Sequence, residues 1–173
     1  MLLSEHGVTL ERLTAAHSDA LLAFELENRL YFAASISDRG DEFFTKFADV
    51  LQARLAEQAA GEGRFHVLVD GDGAVVGRVN LVDIDDGSAE LGYRIAERAA
   101  GRGLATAAVR AITRLAATEY GLRQLTAGTS RVNVASQTVL TRAGFHLATE
   151  PPEGGRTVGA RPQVAFVLRL EDS

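Results

Sequence analysis

Residues 93–106 read Tyr-Arg-Ile-Ala-Glu-Arg-Ala-Ala-Gly-Arg-Gly-Leu-Ala-Thr: the end of a strand, a glycine turn, and the opening of the clearest helix in the chain. From Gly103 to Glu119, residues Leu104, Ala105, Ala108, Val109, Ile112, Leu115 and Ala116 fall on one apolar stripe, and Gly121 follows as a cap. The next extended segment, Gln124 to Gly128, comes directly after that helix, so strand, helix and strand form a parallel crossover. That unit commits the chain to an α/β fold. Its glycines let backbone N–H groups turn inward together, and the helix start adds unpaired donors and the positive end of a dipole. The combination suits a diphosphate.

The rest of the chain fits around this unit. Alternation predicts a first strand over Gly7–Leu13. A helix follows from Thr14 or Ser18 to about Ala34, and a second from Phe43 to Ala59, closed by Gly61-Glu62-Gly63. Phe65–Val69, Ala74–Val82 and Ala89–Ile95 read as strands joined by Asp70-Gly71-Asp72-Gly73 and by a looser turn over residues 83–88. Connections this short make the meander antiparallel. Asn133 can N-cap a helix reaching about Arg142. Phe145–Thr149 and Gln163–Leu170 complete the strands, separated by a Gly/Pro-rich loop over Pro151–Arg161. The order β-α-α-β-β-β-α-β-α-β-β in 173 residues means one α/β domain, residues 1–173, with a mixed, mostly antiparallel central sheet and flanking helices.

Composition removes several chemistries. With no cysteine there is no thiol nucleophile, no disulfide framework and no Cys-ligated metal. The single lysine, Lys46, follows no glycine loop, which excludes a Walker A site, and it is a poor Schiff-base candidate. Four scattered histidines with no i,i+4 pair indicate no zinc site. Asp83-x-Asp85-Asp86-Gly87 has the look of a calcium loop, but its glycine falls one position early and Arg94 stands where the closing Glu belongs, so it reads as a turn. A net charge of −5 argues against nucleic acid as a partner. No apolar run reaches the roughly 18 residues of a membrane span, so no membrane partner is expected and a cytoplasmic location is the default. The total hides an asymmetry. Residues 1–97 hold 18 acidic and 8 basic side chains, whereas residues 98–173 hold 5 and 10. The second half is suited to an anion and the first to a cation.

Three readings of the glycine turn compete. It can be a plain strand-to-helix turn. It can be a dinucleotide site, which requires a third glycine where Thr106 stands and an acidic residue ending the next strand, where Thr126, Gly128 and Thr129 offer none. Third, Arg98, Gly101 and Gly103 match Arg/Gln-x-x-Gly-x-Gly/Ala, and the segment resembles the acyl-CoA-binding motif of the GNAT N-acetyltransferases. Glu90-Leu-Gly-Tyr93, Asn133-Val-Ala-Ser136, Gly144-Phe145 and the early Glu27-Asn28-Arg29-Leu30-Tyr31-Phe32 extend the likeness over about residues 8–150. They are similar to the branch that acetylates ribosomal-protein N-terminal alanines.

The resemblance implies a GNAT-like fold, with two strands splayed to admit the pantetheine arm of acetyl-CoA, the cosubstrate. Tyr93, Arg94 and Ile95 would offer backbone to that arm. Gly101, Arg102, Gly103, Leu104, Ala105 and Thr106 would cradle the diphosphate through backbone N–H groups, with Arg98 and Arg102 adding cationic donors. Asn133 looks like the pantetheine-contacting Asn of the family. Glu90 is the first candidate for general base and Glu153 the second. The tyrosine that many relatives use as acid is Leu140 here, so Ser136 becomes the candidate acid and a cofactor contact. The implied activity is acetyl transfer to a primary amine, favouring a protein or peptide N-terminus. A small-molecule amine, or a CoA-binding module without turnover, remains open. The branch also leaves a homodimer open. Without a cysteine no acetyl-thioenzyme can form, so transfer should be direct.

Overall fold

In the computed structural model, which describes residues 1–148 and 163–171, one eight-stranded sheet is covered by helices on both faces. The strands are β1 (Leu2–Leu3), β2 (Val8–Arg12), β3 (Arg64–Val69), β4 (Val75–Asp85), β5 (Ser88–Ile95), β6 (Gln124–Ser130), β7 (His146–Leu147) and β8 (Gln163–Arg169). Their order across the sheet is β1-β2-β3-β4-β5-β6-β8-β7. Neighbouring strands are antiparallel except β5 and β6, which are joined by α5 (Leu104–Thr118). The crossover expected from the helix stripe is therefore present, and so is the antiparallel meander.

Period-2 alternation sorts each strand between two cores. Leu68, Val79, Leu81, Ala89, Leu91 and Leu125 pack against Leu104, Val109 and Ile112 of α5. Phe65 and Val67 turn the other way, onto Leu21 and Phe24 of α1 (Ser18–Glu27), Phe32 of α2 (Arg29–Ala33), and Phe47 and Leu51 of α4 (Phe47–Ala59). A one-residue slip in any central strand would exchange the two sets, so burial on both sides fixes the register.

Both N-terminal helices are broken where continuous periodicity predicts one piece. The first stops at Asn28, whose side-chain amide donates to the Phe24 carbonyl at 2.9 Å and accepts from the Glu97 N–H at 3.0 Å. Asn28 is buried, and these bonds satisfy both ends of its amide while tying the helix end to the strand that feeds the glycine turn. The second breaks at Lys46 (φ −106°, ψ 29°), separating a short α3 (Asp41–Thr45) from α4. The Leu2–Leu3 pairing with Val8–Thr9 carries no pattern long enough to read from sequence.

On the α5 side, His66 is 3% exposed and its Nε2 lies 2.7 Å from the Tyr120 hydroxyl, while Arg12 and Arg64 approach the Tyr120 ring. Burial, reinforced by the Arg12 charge, pushes its pKa down to about 4. An unfolded chain therefore takes up a proton near pH 6.5 that the folded chain refuses until about pH 4. Stability from this group is intact above about 6.5 and falls by about 1.4 kcal/mol per pH unit on acidification towards 4. Urea midpoints at pH 7, 6 and 5 should drop for the wild type and drop less for His66→Gln; parallel profiles would remove His66 as the cause.

Candidate active site

The parallel pairing of β5 with β6 is short. Ser88, Ala89 and Glu90 face Gln124, Leu125 and Thr126, and there it ends. Beyond that point β5 stays on β4 as far as Ile95, while β6 stays on β8 as far as Ser130. The two strands thus part after Glu90, leaving the edges of residues 91–95 and 127–130 unpaired with each other. The gap opens into a cleft of about 1890 Å³ that runs from the N-terminus of α5 to α2 and the segment after it.

At one end of this cleft lies the glycine turn. Gly101 (φ 75°) and Gly103 (φ 80°) are both left-handed, the conformation for which glycine is needed. Gly103 is the N-cap of the 15-residue α5, and no side chain caps the helix. The first N–H groups therefore have no side-chain acceptor and stand at the positive end of the dipole, beside cleft-lining Gly101, Leu104, Ala105 and Thr106. These groups fit an acyl-CoA diphosphate. Arg102 is exposed, and neither it nor Arg98 lines the cleft. The Arg98 guanidinium instead lies 3.5 Å from Glu27 and 3.6 Å from Asp70, so in this structure neither arginine side chain of the motif is turned to the cleft.

Further along, β5 deals its side chains to opposite faces. Tyr93 sits opposite Val79 and faces α5 and α6 (Val134–Arg142); Arg94 sits opposite Arg78 and faces α1 and α2. The Tyr93 hydroxyl donates to Ser136 Oγ at 3.2 Å. Asn133 caps α6 by accepting from the Ser136 N–H at 3.1 Å, which fixes the first helical turn and with it Ser136. Burial raises the Tyr93 phenol above its usual value, outweighing the opposing pull of the Ser136 hydrogen bond. Tyr93, Asn133 and Ser136 all line the cleft.

Glu90 shares the Arg94 face and lines the cleft at the last paired position before the strands part. Asp83 and Asp85, from the end of β4, line the same cleft, so three carboxylates stand near the fork. Glu153 lies outside the described residues. Among the described residues no group of three His, Cys, Asp or Glu side chains is placed to hold a metal ion, and no helix is long and apolar enough to cross a membrane.

The Acetyltransferase (GNAT) domain family matches residues 8–146, which is most of the chain. The chain belongs to the GNAT acetyltransferase family. A probable N-acetyltransferase of Bacillus subtilis, YjcK, is 31% identical over 133 residues, 72% of each chain. The solved structure of a ribosomal-protein-S5-alanine acetyltransferase from Vibrio fischeri superposes with a TM-score of 0.86 at 18% identity, covering 96% of this chain and 94% of that one. A spermidine N-acetyltransferase from Vibrio cholerae, solved with CoA and spermine, gives 0.76 at 18% identity, covering 96% and 97%.

For a GNAT acetyltransferase, acetyl-CoA is the cosubstrate. Sequence reasoning used Tyr93 and Arg94 only for their backbone and missed both side chains. Their signal was present in the strand alternation, which sends adjacent residues to opposite faces, but what they meet depends on α1 and α6, far away in the chain. Asp83 and Asp85, read as parts of a plain turn, were missed for the same reason.

Proposed function

We propose that this N-acetyltransferase moves the acetyl group of acetyl-CoA directly onto the α-amine at the N-terminus of a protein or peptide. The observation that carries this reading is the breadth of the acceptor side. The cleft is open, and Tyr31, Ile36 and Leu147 line it with 40%, 36% and 58% of their surface exposed, a rim suited to an apolar or extended chain rather than to a small polycation. The better superposition of the ribosomal-protein enzyme than of the spermidine enzyme supports the same choice.

Acetyl-CoA supplies the activated acetyl group as a thioester. The chain's own residues do the rest. Backbone N–H groups of Gly101 to Thr106 hold the diphosphate. The unpaired edge of Tyr93, Arg94 and Ile95 aligns the arm, and Asn133 contributes beside it. Glu90 takes the ammonium proton so that a neutral amine can attack, with Asp83 and Asp85 raising the local concentration of cations. Ser136 delivers a proton to the departing sulfur and is reprotonated by the second proton that the nitrogen sheds as the amide forms. Tyr93 donates to Ser136 Oγ, which leaves the hydrogen of Ser136 free to point elsewhere, towards the thiolate. Base and acid sit on opposite faces of β5, so the amine can enter from one side while the thiol leaves from the other.

Thiol release with acetyl-CoA should be steady in the presence of peptides bearing a free N-terminus and absent with the same peptides blocked. Initial-rate lines should intersect, as direct transfer in a ternary complex requires. Parallel lines would contradict direct transfer, and turnover of polyamines but not peptides would overturn the acceptor.

A further inference from the structure

The wall of the cleft opposite Ser136 holds a charge that the reaction itself does not use. Glu25, on α1, is 1% exposed, and three guanidiniums converge on it: Arg78 at 3.3 Å, Arg39 at 3.5 Å and Arg94 at 3.6 Å. One carboxylate faces three guanidiniums, and the contacts are ionic rather than hydrogen-bonded: Glu25 Oε1 and the Nε atoms of Arg39 and Arg78 are all buried without a hydrogen-bond partner among the described residues. The next acidic groups do not make up the difference, because Asp38 and Asp41 are both taken by Arg29 at 2.8 Å. Four guanidiniums therefore face three carboxylates, with the surplus on the side of Glu25.

Of the three arginines on Glu25, Arg94 is the one that lines the cleft. Its side chain is 16% exposed and makes no hydrogen bond among the described residues, and its guanidinium lies over the Phe32 ring at 5.0 Å. Phe32 lines the same cleft. Stacking on Phe32 and the contact with Glu25 hold the fork in place while leaving its N–H donors unspent. Burial, together with the like charge of Arg39, pushes its pKa down to about 10, and an arriving anion would reverse that. Arg94 also follows Tyr93 directly, so this cation stands one residue along the strand from the hydroxyl pair and on the opposite face, where the acceptor enters.

We propose that Arg94 selects acceptors that carry a carboxylate close to the acetylated amine, an acidic peptide N-terminus above all. A planar guanidinium with free donors receives a carboxylate through two parallel hydrogen bonds, and desolvation by Phe32 strengthens them. The selection combines two opposite charges. The ammonium is drawn to Glu90, Asp83 and Asp85, and the carboxylate is drawn to Arg94. A polycation satisfies only the first. The proposal rests on the reading of this cleft as an acceptor site for amines.

The test is a ratio measured within each enzyme preparation, so that a partly unfolded variant cannot mimic the result. Peptides beginning Ala-Asp-Asp and Ala-Asn-Asn are compared by kcat/KM in the wild type, in Arg94→Gln and in Arg94→Lys. The wild type should prefer the acidic peptide by about tenfold or more, the scale of a charge-assisted hydrogen bond. Arg94→Gln should bring the ratio to about one, and Arg94→Lys, which keeps the charge but loses the fork, should fall between. A wild-type ratio near one, or a ratio that survives in Arg94→Gln, overturns the proposal while leaving peptide acetylation intact. If neither peptide is acetylated, alanine and alaninamide are compared in the same way. A carboxylate preference that Arg94→Gln abolishes then upholds the proposal and sinks only the peptide reading, and no preference, or no turnover of either, sinks the proposal as well.

Discussion

Ser136→Ala should lower kcat by about 100-fold with little change in the KM for acetyl-CoA, the range expected when a general acid is removed. The argument is one of protons. The amine must lose one before attack, and the thiolate must gain one to leave as a thiol. The family resemblance implies that Leu140 replaces the usual tyrosine acid, and Ser136 is the hydroxyl held at the cleft by the Asn133 cap and the Tyr93 hydroxyl. Tyr93→Phe removes only that hydroxyl and should cost about tenfold, because Ser136 remains but its hydrogen is no longer directed. The double variant should be little worse than Ser136→Ala alone, since Tyr93 acts through Ser136. Multiplicative losses would mean that the two hydroxyls act separately, and an unchanged kcat in Ser136→Ala would remove it from the acid role. The raised pKa of Tyr93 keeps the phenol protonated, so the kcat profile should show no alkaline loss from this pair below about pH 10.

The difference between what the chain announces and what it conceals follows from range. The glycine turn, the stripe of α5 and the hairpin at Asp70-Gly71-Asp72-Gly73 are local patterns. They appear where they are expected, with Asp70 Oδ1 accepting from the N–H groups of Asp72 and Ala74. Asn28 shows the opposite case. As an isolated residue in a helical stretch it signals nothing, yet it ends α1 because its amide finds the Glu97 backbone, 69 residues away. The same holds at the site. Glu90, Asn133 and Ser136 sit inside recognisable local strings, whereas the meaning of Tyr93 and Arg94 depends on partners 43 and 69 positions off in sequence, Ser136 and Glu25. The charge asymmetry between the two halves was legible as a total. Its consequence was not, because half-buried Arg39, Arg78 and Arg94 belong to the acidic half and gather around Glu25, with Arg94 reaching the cleft.

Gly103→Val should weaken acetyl-CoA binding by about 100-fold, and the reason is conformation rather than crowding. A Cβ at Gly103 would meet nothing closer than His6 Cε1 at 3.8 Å, so there is room for it. The backbone is the obstacle: at φ 80° an L-residue, above all a β-branched one, is strained by about 1–2 kcal/mol. The chain can bear that strain, or relieve it by rotating φ, which swings the N–H groups that open α5 out of their common direction. A diphosphate bound through several such donors then loses charge-assisted hydrogen bonds, each worth about 1.5–3 kcal/mol. Gly121→Val separates the two effects. Gly121 has the same left-handed φ, 63°, with nothing within 4 Å of an added Cβ, but it lies beyond the C-terminal end of α5 and does not line the cleft. Both variants should melt a few degrees lower than the wild type, whereas only Gly103→Val should lose affinity in a calorimetric titration with CoA. Equal losses of affinity would trace the defect to general destabilisation, and wild-type affinity in Gly103→Val would mean that the diphosphate does not depend on this turn.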